Sequence, residues 1–268
     1  MLTTTFKHGI NFFDSAENYT DGYSEELTGL AIQRGIQNSG FMGAGPKDQD
    51  VSRKHIVEGM KASLRHLQLH NVDVVVCDRS EPYTPIEETV RPMNFVIQQG
   101  WAYYWGTSEW LASDIQEACE IADRLGLIRP IVEQSQYSIV DRNKVEFEFV
   151  DLYKKYNQDS RRFRRYLSDM QLVPSFDERV EMAEKIKMIV AELGCSLPQL
   201  ALAWCVSNEN ASTVMIGASR PEQLENLKEL DFVDKVTPEV KAKIDAIVNF
   251  VPTVPALNSL ATLHGRRL

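Results

Sequence analysis

A chain of 268 residues with 43% hydrophobic and 25% charged residues is an ordinary folded globular protein, of a length that fits one α/β domain of about 250 residues. Its net charge of −9 excludes a surface built mainly for nucleic acid or anionic membrane, because both need clustered positive charge. Four cysteines, Cys77, Cys119, Cys195 and Cys205, show neither a C-x-x-C pair nor metal-ligand spacing with histidine, so a reducing compartment and no metal site are expected. No basic-then-apolar leader and no run of about 18 apolar residues is visible, which makes the cytoplasm the expected location and argues against membrane insertion.

In chain order, short β-branched runs alternate with amphipathic helical patterns, as in βα units around a parallel sheet. The expected strands are Ile10 to Asp14, Val72 to Asp78, Ala102 to Ser108, Pro130 to Gln136 and Thr213 to Ala218. Ile56, Met60, Leu64 and Leu67 form an apolar stripe at helical spacing. Thr84-Pro85-Ile86-Glu87 reads as a capping box with proline at the first helical position, and Gly100 marks that helix's end. Pro92 falls two turns into the same helix, where a kink is expected. The run Arg161, Arg162, Arg164, Arg165 reads as a solvated loop with one arginine free to meet a phosphate. Ser196-Leu197-Pro198-Gln199 and Ser219-Arg220-Pro221-Glu222 repeat the capping logic, and Val240, Ile244 and Ile247 form another stripe. No linker divides the chain, so one domain over 1–268 with a tail from 250 is expected. There is no G-x-G-x-x-G after a strand and no P-loop.

The segment Gly9-Ile10-Asn11-Phe12-Phe13-Asp14-Ser15-Ala16-Glu17-Asn18-Tyr19, with Gly22 and Ser24-Glu25-Glu26-Leu27 after it, closely resembles the aldo-keto reductase motif around the catalytic Asp and Tyr. Trp105-Gly106-Thr107-Ser108-Glu109-Trp110, Glu133-Gln134-Ser135-Gln136-Tyr137 and Gly217-Ala218-Ser219-Arg220-Pro221-Glu222-Gln223-Leu224 look like three further blocks in the family's order, in the branch close to potassium-channel β-subunits and fungal aryl-alcohol dehydrogenase-like reductases. The resemblance implies a (β/α)8 TIM barrel and hydride transfer from NADPH to a small aldehyde or ketone. Tyr19 would donate the proton and Asp14 would support it. Ser108 and Gln134 match positions that hold the nicotinamide carboxamide. Gly217, Ser219, Arg220, Gln223, Glu225 and Asn226 match the stretch that holds the adenosine 2′-phosphate, with Arg161 as an added phosphate contact. A strand followed by a helix start there also suits a phosphate on physical grounds. The partners implied are a carbonyl or alcohol substrate and NADP(H), and a homo-oligomer is compatible with the resemblance.

The sequence departs from the family pattern in places that bear on chemistry. Family members carry a strand ending in the catalytic lysine where this chain runs from Gln37-Asn38-Ser39 to Gly40-Phe41-Met42-Gly43, so neither strand nor lysine is expected, and Lys47 lies beyond. Asp78, in Val76-Cys77-Asp78-Arg79, stands at the catalytic histidine position, where an anion would raise the tyrosine's pKa and oppose a developing alkoxide. After Asp151-Leu152-Tyr153-Lys154-Lys155-Tyr156 comes Asn157-Gln158-Asp159-Ser160-Arg161 in place of a strand and a Trp-Ser-Pro-Leu loop. Met1 falls inside the first helix of the pattern. The first, third and seventh barrel strands are therefore not recognisable, and the barrel is expected to be incomplete. Two functions follow from the resemblance: a reductase of impaired activity, or a catalytically inactive NADP(H)-binding or regulatory pseudoenzyme. A truncated gene model would leave the same gaps.

Overall fold

The computed structural model describes residues 2–7, 10, 12–16, 19–33, 40–44, 52–80, 84–156, 163–164, 176–209, 211, 213–218, 222–225 and 232–253. They fall into two compact units, one within Met1–Gln134 and one within Ser135–Thr253. Among the described residues no single helix is long and apolar enough to cross a membrane.

The first unit alternates strand and helix. Helix α1 (Leu2–Lys7) leads to strand β1 (Phe12–Ala16), a 3-10 turn (Tyr19–Gly22), α2 (Tyr23–Gln33) and β2 (Gly40–Ala44). Then come α3 (Arg53–Leu67), β3 (Val72–Asp78), α4 (Ile86–Gln98), β4 (Ala102–Ser108), α5 (Ala112–Leu125) and the two-residue β5 (Glu133–Gln134). The strands pair in parallel in the order β1-β2-β3-β4-β5. Strand β3 is buried along Val74 to Cys77, on both faces, as a central parallel strand must be. The predicted stripe Ile56, Met60, Leu64 and Leu67 is buried on α3, which Ser52 caps by accepting from the His55 N–H at 3.4 Å.

Several expectations need correction. A third strand does exist: Gly40–Ala44 lies between β1 and β3 and pairs with both. Its glycines and methionine carry little strand propensity, and the two neighbouring ladders impose the conformation. Strand β1 sits two residues later than expected, and the Pro130–Gln136 strand shrinks to Glu133–Gln134. Thr213–Ala218 carries no strand assignment. The box at Thr84 does not form: Pro85 is itself the N-cap of α4, without a side-chain cap bond. Pro92, where a kink is expected, lies inside α4, which runs as one helix from Ile86 to Gln98. Near it, the Val90 carbonyl accepts from Asn94 Nδ2 at 3.0 Å, while Asn94 also pairs with the Ile128 backbone at 3.1 and 2.8 Å. The described strands form a mixed α/β arrangement with a parallel sheet, and no closed barrel is seen among them.

In the second unit, a π-helical segment (Lys144–Glu148), α6 (Val150–Tyr156), β6 (Phe163–Arg164), α7 (Phe176–Leu193), α8 (Leu197–Val206), α9 (Glu222–Glu225) and α10 (Pro238–Val248) follow in order. The expected box at Ser196 is complete, with the Ser196 side chain accepting from the Gln199 N–H and the Gln199 side chain accepting from the Ser196 N–H. The core joins Tyr137, Ile186, Leu200, Trp204 and Ile244. Arg142, 5% exposed, donates to Ile139 O at 2.8 Å and Asp245 Oδ1 at 2.6 Å, and its guanidinium lies 4.6 Å from the Trp204 ring centroid.

Burial, and secondarily the carboxylate of Asp78, push the Cys77 thiol up to about 12. An unfolded thiol ionises at roughly 8.5, so the stability supplied by neutral Cys77 is whole below that pH and is lost as pH rises towards the folded value. We expect the urea midpoint to fall between about pH 9 and pH 11, each pH unit costing about 1.4 kcal/mol at most, and Cys77→Ala to flatten that fall. An equal slope in the variant would assign the alkaline loss to other groups.

Candidate active site

Parallel pairing carries β3, β4 and β5 up to a common edge. The register sets Asp78 opposite Ser108, and Ser108 opposite Gln134. Paired residues on neighbouring parallel strands face the same side, so these three polar side chains form a row with backbones roughly 4.8 Å apart. Two bonds extend the ladder past the strand ends: Arg79 N–H to Ser108 O at 2.8 Å and Glu109 N–H to Gln134 O at 3.0 Å. Gln134 is 5% exposed and Ser108 half-buried. Among the described residues, neither the Ser108 hydroxyl nor the Gln134 amide hydrogen-bonds to protein. A hydroxyl beside an amide at a sheet edge complements a planar carboxamide, which needs one donor and one acceptor.

The chain leaves this row through unusual backbone. Arg79 and Glu109, each directly after a row residue, hold φ of 32° and 59°. Non-glycine residues pay roughly 1–2 kcal/mol for that region, and such strain collects at functional sites. Trp110, fully buried, donates from Nε1 to Cys77 O at 3.1 Å and so ties the β4–α5 loop to β3. Ser80 donates to Asp114 in the first turn of α5, a second tie. Asp78 accepts from Arg79 Nη1 at 3.2 Å, with the two side chains 18% and 40% exposed. The position expected to oppose an alkoxide thus comes with its own counter-charge.

Asp14 lies on β1, at the far end of the strand order from β5, and Tyr19 follows that strand. The register puts Asp14 in line with Met42, Val74 and Tyr104. That row lies four residues below Asp78 on β3, roughly 13 Å along the strand. Tyr19 opens the 3-10 turn, half-buried, and the next three residues all hold positive φ: 51° at Thr20, 54° at Asp21 and 87° at Gly22. Strand β2 contains no lysine.

The expected phosphate-binding residues lie in the second unit. Gly217 is exposed in the irregular stretch 213–218, Gln223 is exposed on α9 and Glu225 ends that helix, with the buried Leu224 anchoring it. Ser219, Arg220, Asn226 and Arg161 lie outside the described residues. Of the sequence-derived set, the structure brings together Asp78, Ser108 and Gln134. The reading missed the Asp78–Arg79 pair, although adjacency and opposite charge signalled it, and it missed the Trp110 tie, for which a tryptophan directly after a strand-end Ser-Glu was the available sign.

The aldo/keto reductase family model matches residues 1–160 and 151–249 of the chain. A probable voltage-gated potassium channel subunit beta of Arabidopsis thaliana is 44% identical over 282 residues, covering 92% of this chain and 86% of the relative. The corresponding probable subunit of Oryza sativa subsp. japonica is 42% identical over 278 residues, with 91% and 85% covered. A putative subunit of Schizosaccharomyces pombe is 38% identical over 282 residues, with 91% and 82% covered. The first alignment, at 282 positions, is longer than this 268-residue chain, so that relative carries residues without a counterpart here. On the family model and on relatives of this identity and coverage, the chain belongs to the aldo/keto reductase family.

Proposed function

We propose that this family oxidoreductase binds NADPH and reduces the carbonyl of a small aldehyde or ketone, at a rate held low by two changes in its acid-base set. The observation that carries the reading is the Ser108–Gln134 pair: two adjacent polar groups at the sheet edge, unengaged by described protein groups and matched to a carboxamide. When bound, the reduced nicotinamide supplies a hydride. Ser108 and Gln134 orient its ring, and the Tyr19 hydroxyl gives its proton to the carbonyl oxygen. Tyrosine is a weak acid near neutrality, with an ordinary pKa of about 10, so this step depends on neighbours that favour the phenolate. A lysine is missing from β2, and Asp78 stands where the family has histidine, its charge directed to Arg79. The family's (β/α)8 barrel is the architecture we propose for the chain as a whole, with strands missing, and the cytoplasm is its proposed location.

The relatives are named as channel β subunits, which favours a second reading of the chain as a subunit of a larger assembly; in that reading we propose that it holds NADP(H) without turnover. A third possibility, a truncated product, would show no cooperative melt and no shift with NADPH, since a ligand bound only by the folded state must raise its stability.

Three outcomes separate these. Gln134→Leu should weaken NADPH binding about tenfold, the worth of roughly 1.4 kcal/mol or one net hydrogen bond, measured by fluorescence titration; unchanged affinity would remove Gln134 from the cofactor site. With NADPH and 4-nitrobenzaldehyde in stopped flow, Tyr19→Phe should lower the single-turnover rate by about 10²-fold or more, as loss of a general acid does. NADPH binding with a rate indifferent to Tyr19→Phe favours the regulatory reading. Asp78→His should raise the rate, and no change would place the deficit in the missing lysine.

A further inference from the structure

The turn that carries Tyr19 holds left-handed backbone that Gly22 favours and Asp21 tolerates but the β-branched Thr20 disfavours. Thr20 and Asp21 are non-glycine residues in the left-handed region, and Gly22 continues it. Backbone of this kind persists only where surrounding groups over-determine it. The surroundings here are the last turn of α3. A Cβ added at Gly22 would lie 2.7 Å from His66 Cε1 and 2.8 Å from its Nδ1, so the turn rests directly on the imidazole.

The imidazole is held in turn. Its Nδ1 lies 2.9 Å from Oε2 of Glu25, one turn into α2, whose side chain has no exposed surface. Among the described residues, His66 is the one hydrogen-bond partner of that carboxylate, whose Oε1 is buried without any. Losing the imidazole would leave a fully buried carboxyl without a hydrogen-bond partner among the described residues, which carries the full desolvation penalty of the group. Helix α2 packs closely on the end of α3: a Cβ at Gly29 would come within 2.3 Å of Leu67 O, and Gln33 Nε2 donates to Gln68 Oε1 at 2.7 Å on the exposed side. Ring, carboxylate and helix contact thus form a closed loop of constraints that ends on the Tyr19 turn.

We infer that His66, clamped by Glu25, is the positioning residue that fixes the Tyr19 turn. This rests on the reading of Tyr19 as the proton donor, while the positioning itself does not require turnover. His66 acts through packing on Gly22 and touches no reacting atom.

The test uses the full chain with His66→Ala and His66→Gln, the latter retaining a donor for Glu25. Amide hydrogen exchange is followed in a peptide spanning Tyr19–Gly22 and, as internal reference, in one spanning α5. His66→Ala should speed exchange in the turn at least tenfold with α5 unchanged, and should lower kcat at least tenfold while the Kd for NADPH moves less than twofold; His66→Gln should restore most of both. If His66→Ala does not fold, Glu25→Gln/His66→Ala removes the buried carboxyl with its partner and takes its place. A folded variant with unchanged exchange in the turn overturns the inference, whatever the rates. Faster exchange in the turn together with a rate indifferent to Tyr19→Phe overturns only the role of Tyr19.

Discussion

A two-residue strand cannot set its own register, yet the placement of Gln134 beside Ser108 depends on β5. The register is imposed from the loop before it. The Ile128 carbonyl accepts from Trp105 Nε1 at 2.8 Å and from Asn94 Nδ2 at 3.1 Å, and the Ile128 N–H returns to Asn94 Oδ1 at 2.8 Å. Ile131 N–H to Trp105 O at 2.9 Å and Thr107 N–H to Val132 O at 2.8 Å then lead the chain along β4. Asn94 and Trp105 are buried although Ile128 is exposed, so these bonds are partly shielded from competition with water. The candidate site is assembled by a buried amide and an indole that never reach it.

The same logic runs at the Tyr19 turn. The Tyr19 turn takes its shape from Gly22 against His66, two helices further along the chain, and from the fully buried Glu25 that holds the ring. Both halves of the unit hold their polar edge through contacts made on the helix side of the sheet. Chemistry and support are thus separated: the polar residues stand at the strand ends, while the contacts that support them are buried elsewhere.

Legibility in the sequence followed where the determining forces lie. Strands β3 and β4 were read to the residue, because their apolar runs are bounded by a polar end and their pairing agrees with local propensity. The Ser196 box was equally plain, since its bonds span three residues. Strand β2 was missed because Gly40-Phe41-Met42-Gly43-Ala44 has no β-branched residue and owes its state to neighbours remote in sequence. The Thr84 box failed for a local reason: the chain enters α4 one residue late, with Pro85 as the cap. In the site, the polar strand ends Asp78, Ser108 and Gln134 were visible as sequence breaks. The Glu25–His66 pair, 41 residues apart, leaves no such mark.

The bond from Trp110 to the Cys77 carbonyl puts an indole, shielded from solvent, within one residue of Asp78 and two of Ser108 along the chain. An indole in a rigid, dry setting emits at short wavelength and is sensitive to changes in the nearby field. Together with Trp105 on the same strand–loop segment, it places two of the chain's four tryptophans beside the polar edge, so part of the intrinsic emission is native to the site.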